Sequence, residues 1–213
     1  LSYDTNDDLA QGTGFQNLAI GSGAGHGIKT GESNIAIGYL AMGDTDAGDT
    51  SNDSDHNTFI GLVSGGATWA NARSEKNVAV GNYTLYGAMN GANYNTAVGY
   101  EAGKAILGGI SNTMVGKGAG SNLDNGNYNT FIGEDITGTA GNTASAICIG
   151  HDGASGANNT TKFVTAGGAC QITMDGSDTS WAASSDERLK ENVVDSTAGL
   201  SFIKDLRPIT YNW

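Results

Sequence analysis

The chain has 213 residues, of which 34 are Gly and one is Pro; 38% are apolar, the net charge is −12 and the pI is near 4.3. Glycine at more than twice its usual share of about 7% leaves little apolar material for one compact core. The acidity repels a phosphate backbone, which excludes a nucleic-acid partner, and no stretch reaches the roughly 18–20 apolar residues of a membrane span.

Residues 1–16 carry no repeat and no basic-then-apolar leader, and the chain begins at Leu1 rather than Met. We therefore expect a lead-in at the start of a fragment, with any targeting or attachment segment upstream.

From residue 17 a five-residue core recurs. It reads NLAIG from Asn17, NIAIG from Asn34, NTFIG from Asn57, NVAVG from Asn77, NTAVG from Asn95, NTMVG from Asn112 and NTFIG from Asn129. An eighth copy, AICIG from Ala146, lacks the Asn. The closing glycines are spaced by 17, 23, 20, 18, 17, 17 and 17 residues. Self-similarity at this period is the signature of a solenoid.

Each core predicts a short strand that Gly ends. Asn suits the opening position because its carboxamide bonds neighbouring backbone groups and tolerates a left-handed conformation. Stacked one per rung, the Ile/Val positions predict an internal apolar column. Small-residue clusters such as GSGAG at Gly21, GYEAG at Gly99 and GKGAG at Gly116 predict a close approach of neighbouring backbones. Length variation falls in polar insertions, above all DTDAGDTSNDSDH from Asp44 to His56, which predict surface loops.

One short strand per rung leaves its flanks uncovered, so three chains wrapped together are expected to supply the missing walls and to dispose of open sheet edges. The fold class expected is all-β, a homotrimeric parallel β-solenoid or β-roll fibre over residues 17–161. The repeat resembles the head repeats of trimeric surface adhesins and related repeats in phage fibres.

Residues 162–184 read as a β stalk, with KFVTAGGACQITMDG turning near Ala166 to Gly168 and again near Asp175 to Ser177. The two cysteines, Cys148 and Cys170, lack metal-knuckle or redox-motif spacing and are expected to be reduced and buried. Beyond lie SSDERLKENV, a Leu200, Ile203, Leu206 spacing that suits a short helix stopped by Pro208, and the strand-like ITYNW.

Ser185-Asp186-Glu187-Arg188-Leu189-Lys190-Glu191-Asn192 resembles the opening of the intramolecular chaperone auto-processing domain, and Leu206 to Trp213 resembles its next element. That family closes phage endosialidase tailspikes and many tail fibres, and occurs in the myelin regulatory factor. Residues 185–213 would thus begin an α+β chaperone domain. The resemblance implies a domain that trimerises, templates the preceding β-stalk and then cuts itself off with a Ser-Lys dyad. It places the nucleophile at Ser185, the base at Lys190 and the cut between Ser184 and Ser185. A Lys takes a proton from Ser only when desolvation or nearby positive charge lowers its pKa, and Arg188 is a source of such charge. Five residues apart, Ser185 and Lys190 meet only through a turn or across chains. The same residues also read as a solvated helix start with Ser185 as N-cap.

Other candidates are weaker. Asp44, Asp46, Asp49, Asp53 and Asp55 lack the Gly and closing Glu of an EF-hand loop, so no metal site is expected. His26, His56 and His151 are isolated. Trp69, Tyr83, Tyr86, Tyr94, Tyr100 and Tyr128 suit either sugar stacking or packing at subunit seams.

The resulting expectation is a structural and receptor-binding component of a phage tail fibre or tailspike, located in the virion and assembled in the host cytoplasm. Its expected partners are itself as a homotrimer, other virion proteins and a host surface receptor, with a glycan as one class. No cofactor or membrane insertion is expected. The alternatives are a bacterial trimeric cell-surface adhesin and a glycan-degrading tailspike whose enzymatic domain lies outside this segment. The only enzymatic activity in view is a single-turnover serine autoprotease.

Overall fold

The computed structural model describes residues 14–44, 53–165 and 167–174, and the backbone of 182–183. By contacts the chain divides into two units, Leu1–Ala183 and Ser184–Trp213. The described residues contain strands, turns and no helix, and they form a β-solenoid.

Seven repeat cores are strands β1 (Leu18–Ile20), β2 (Ile35–Ile37), β3 (Thr58–Ile60), β4 (Val78–Val80), β5 (Thr96–Val98), β6 (Thr113–Val115) and β7 (Thr130–Ile132). The short β8 (Ile136–Thr137) follows, then the eighth core as β9 (Ile147–Gly150), then β10 (Gly153–Ala154), β11 (Thr160–Thr165), β12 (Gly168–Thr173) and β13 (Ala182–Ala183). One sheet runs in the order β1 through β7, β9, β11, β12, β13, parallel as far as β11 and antiparallel from there; β8 and β10 pair separately. Register is constant: Ala36 lies beside Ala19 and Phe59, and Met114 beside Ala97 and Phe131.

The strands are three residues long because a Gly closes each one and reverses the chain, and those glycines stand where no side chain fits. Gly99 has φ +134°, and a Cβ there would lie 2.5 Å from the Gly116 carbonyl oxygen of the next rung. Rung-to-rung bonding continues round the corner, as in Val63 N–H to Tyr39 O at 2.8 Å and Gly118 N–H to Tyr100 O at 2.8 Å. On a further wall, Asn90 N–H donates to Leu107 O at 2.7 Å. Each chain therefore closes its own rungs. The expectation that three chains are needed to supply missing walls is corrected: residues after the strand, such as Ala102 and Ile106, turn inward and cover the flank the strand leaves open.

The inward column also differs from expectation. The middle residue of each core points in, and Ala36, Phe59, Ala79, Ala97, Met114, Phe131 and Cys148 are all buried. Side chains alternate along a strand, so with Asn and the middle residue inside, the Ile/Val position must face out. The predicted internal column of Ile and Val is thus an external one.

At four rungs core volume is balanced between the strand and the corner behind it, whereas Gly103, behind the small Ala97, makes room for Leu85 and Met114 of the neighbouring rungs. Where the strand residue is the small Ala36 or Ala79, the buried corner residues include Met42 and Leu85. Where it is Phe59 or Met114, the corner carries Gly65 or Gly120, whose added Cβ would lie 2.5 Å from the Phe59 ring or the Met114 sulfur. The small-residue clusters thus make room for large side chains as well as for backbone. Trp69 is buried against Phe59, ring centroids 5.7 Å apart, with its indole N–H donated to Gly65 O at 2.9 Å. It belongs to the core and presents no face to a sugar.

Candidate functional site

Asn17, Asn34, Asn57, Asn77, Asn95, Asn112 and Asn129 form one continuous ladder inside the solenoid. The side-chain oxygen of each accepts the backbone N–H and a carboxamide hydrogen of the next: Asn57 to Asn34 at 3.0 and 3.2 Å, Asn77 to Asn57 at 3.0 and 3.1 Å. The second carboxamide hydrogen goes to a corner carbonyl, such as Asn95 to Gly109 O and Asn112 to Gly126 O, both at 2.7 Å. A buried amide with every donor and acceptor occupied fixes rung register. At Ala146 only the backbone N–H remains to meet Asn129 Oδ1, at 3.0 Å, and the ladder ends. The left-handed conformation sits one residue before each Asn, at Gln16, Ser33, His56, Lys76, Tyr94, Ser111 and Tyr128, and again at Ser145 before Ala146, with φ of 56–61°. It turns the chain so that Asn enters pointing inward.

The opposite side of the same strands is bare. Ile20, Val80, Val98, Val115 and Ile132 form its outer column with exposures of 36–43%, Ile37, Ile60 and Ile149 are half-buried in the same line, and Phe163 continues it at 48%. The parallel outer column is Leu18, Ile35, Thr58, Val78, Thr96, Thr113, Thr130 and Ile147. Neither column contains a charge, and β-branched side chains on eight consecutive rungs, followed by Phe163 on the ninth, make one continuous apolar strip.

Charges and aromatics lie on its flanks. Tyr83 packs edge-on against Tyr86 and Tyr100, centroids 5.9 and 6.1 Å apart. The Lys76 ammonium sits 5.1 Å from the Tyr94 ring centroid and donates to its hydroxyl at 3.3 Å, a bond that holds the ammonium above its usual pKa. Glu101 accepts from Lys104 at 2.5 Å, which lowers its carboxyl pKa, and its bond to Tyr100 raises that phenol. Glu134 and then Asp135 hold Lys117 above the usual lysine range, at 2.8 and 3.1 Å. Tyr94, Tyr100 and Tyr128 are exposed.

The acidic insertion is anchored by Arg73, which pairs with Asp55 and Glu75 and donates to Asp53 O at 2.9 Å. Thr68 donates to Asp44, and a shallow groove is lined by Thr30, Glu32, Asp53, Asp55 and Arg73. Asp46 and Asp49 lie outside the described residues, among which no cluster suited to a metal ion occurs. His26, His56 and His151 are exposed on separate rungs. Cys148 and Cys170 are both free; Cys148 is buried, which pushes its thiol pKa up, and Cys170 is half-buried.

Ser184, Ser185, Arg188 and Lys190, with the expected helix before Pro208 and the ITYNW strand, lie outside the described residues, as does the turn at Asp175 to Ser177. The turn expected at Ala166 to Gly168 joins β11 to β12.

Residues 185–213 match the family described as chaperone of endosialidase. Searches of curated proteins and of solved structures returned no match.

Proposed function

We propose that this chain is a structural and receptor-binding part of a phage tail fibre or tailspike, matured by the chaperone that begins at Ser185. The observation that carries this reading is one of order along the chain: an eight-core solenoid is followed by the match to the chaperone of endosialidase. A solenoid whose rungs depend on a single register benefits from a C-terminal template, because parallel, long-range strand pairing folds slowly and exposes edges on the way.

In this reading three chains assemble with their chaperone segments together. The Ser185 hydroxyl, its proton taken by Lys190, attacks the Ser184 carbonyl carbon, and the Ser184–Ser185 C–N bond breaks as that proton passes to the leaving amine. Water then hydrolyses the Ser184 ester to free both chains. The fibre remains in the virion, where its flank tyrosines and insertion loops are available to a host-surface receptor. Intact-mass measurement of the complete gene product tests this. Two products meeting between Ser184 and Ser185 are expected; a single uncut species overturns the maturation step.

A further inference from the structure

We propose that the bare strip from Ile20 to Phe163 is the surface on which further copies of this chain pack, parallel and level with one another, and that Cys170 thereby lies at the common axis. The inference rests on the fibre reading for its parallel sense, since copies sharing a C-terminal template must present that end together.

The occupant follows from the surface itself. The strip repeats once per strand, at about 4.8 Å, for nine rungs, so it is about 40 Å long. Insertions lengthen several repeats, yet strand register stays constant through them. A surface periodic at the strand spacing is matched at every rung by another surface of the same period, and a second copy of the solenoid has it. The two outer columns that make up the strip carry no charge that association would strand without a partner.

Cys170 extends this strip. Ile132 lies beside Ile149, Ile149 beside Phe163, and Phe163 beside Cys170, and register partners share a face of the sheet. In a level parallel assembly the Cys170 thiols of neighbouring copies come together at the axis. In an antiparallel one they stand roughly 40 Å apart, at about 4.8 Å per strand. Cys148 is buried inside the solenoid and serves as an internal control.

The test is thiol crosslinking of the full chain at low concentration, alongside sedimentation velocity. A short bismaleimide should link chains through Cys170 and stop at about two-thirds of them, since a three-fold axis leaves one thiol of each trio unpaired. A trifunctional maleimide should give covalent trimer. Both products should vanish in Cys170→Ser and persist in Cys148→Ser. An assembled oligomer that does not crosslink at Cys170 overturns the shared face or the parallel sense while leaving the fibre reading intact. Bismaleimide linkage running to completion, with no covalent trimer, overturns the three-fold arrangement. A monomer in sedimentation overturns the proposal outright, and cleavage of the Ser184–Ser185 bond reports on the fibre reading separately.

Discussion

The side-chain oxygen of Asn95 accepts two hydrogens from Asn112, the backbone N–H at 3.0 Å and the carboxamide at 2.9 Å, with both residues fully buried. Replacing Asn95 with Ala strands both donors and the Gly109 carbonyl that Asn95 itself serves. Each buried polar group left without a partner costs about 1–3 kcal/mol. Asn95→Ala should therefore destabilise the solenoid by about 3 kcal/mol or more in chemical denaturation. A change below about 0.5 kcal/mol would mean that water or relaxation replaces the ladder.

Gly99→Ala should be worse tolerated than its chemistry suggests. The new Cβ meets the Gly116 carbonyl at 2.5 Å, a backbone atom that cannot swing aside, and φ of +134° is itself unfavourable for an L side chain. Gly167→Ala, whose Cβ would come no closer than 3.8 Å to a described residue, the Thr165 hydroxyl, is the matched control. Thermal unfolding should show a large loss of Tm for Gly99→Ala and almost none for Gly167→Ala.

The period, the strands and the terminating glycines were legible because they repeat, and repetition survives variation at any one position. The inside-outside assignment was not. In a three-residue strand such as Thr96-Ala97-Val98, hydrophobicity favours the larger Val as core, and only the parity set by a buried Asn95 reverses that choice. Closure was also hidden, because its inward residues, among them Ala24, Trp69, Leu85 and Ile106, lie outside the strands and vary in size from repeat to repeat, so the recurring small-residue clusters read as close backbone contacts rather than as a wall of the core. Residues 185–213 were legible through the motif around Ser185 rather than through folding physics, and they carry the family match.

That parity gives a test that separates folding from association. Val98→Asp places its charge on the outer strip, whereas Met114→Asp buries one inside the solenoid. The first variant should keep the β-rich circular dichroism of the parent but sediment as a monomer. The second should not fold. Loss of secondary structure in Val98→Asp, or an unchanged oligomer, would show that the strip is not where chains meet.

Self-cleavage should depend on Ser185 and Lys190 together. A serine hydroxyl attacks a peptide carbonyl only if its proton has somewhere to go, and within the matched segment Lys190 is the amine that the resemblance assigns to take it. In the complete gene product, Ser185→Ala removes the nucleophile and Lys190→Met removes the base while keeping a side chain of similar length. Each should leave one uncut band on a denaturing gel, against two for the parent, and N-terminal sequencing of the smaller parental band should begin at Ser185. Lys190→Arg should also fail, because a guanidinium stays protonated at any pH the protein survives and cannot accept the proton. Cleavage that persists in both Ser185→Ala and Lys190→Met would remove the dyad, and a smaller band starting elsewhere would move the scissile bond.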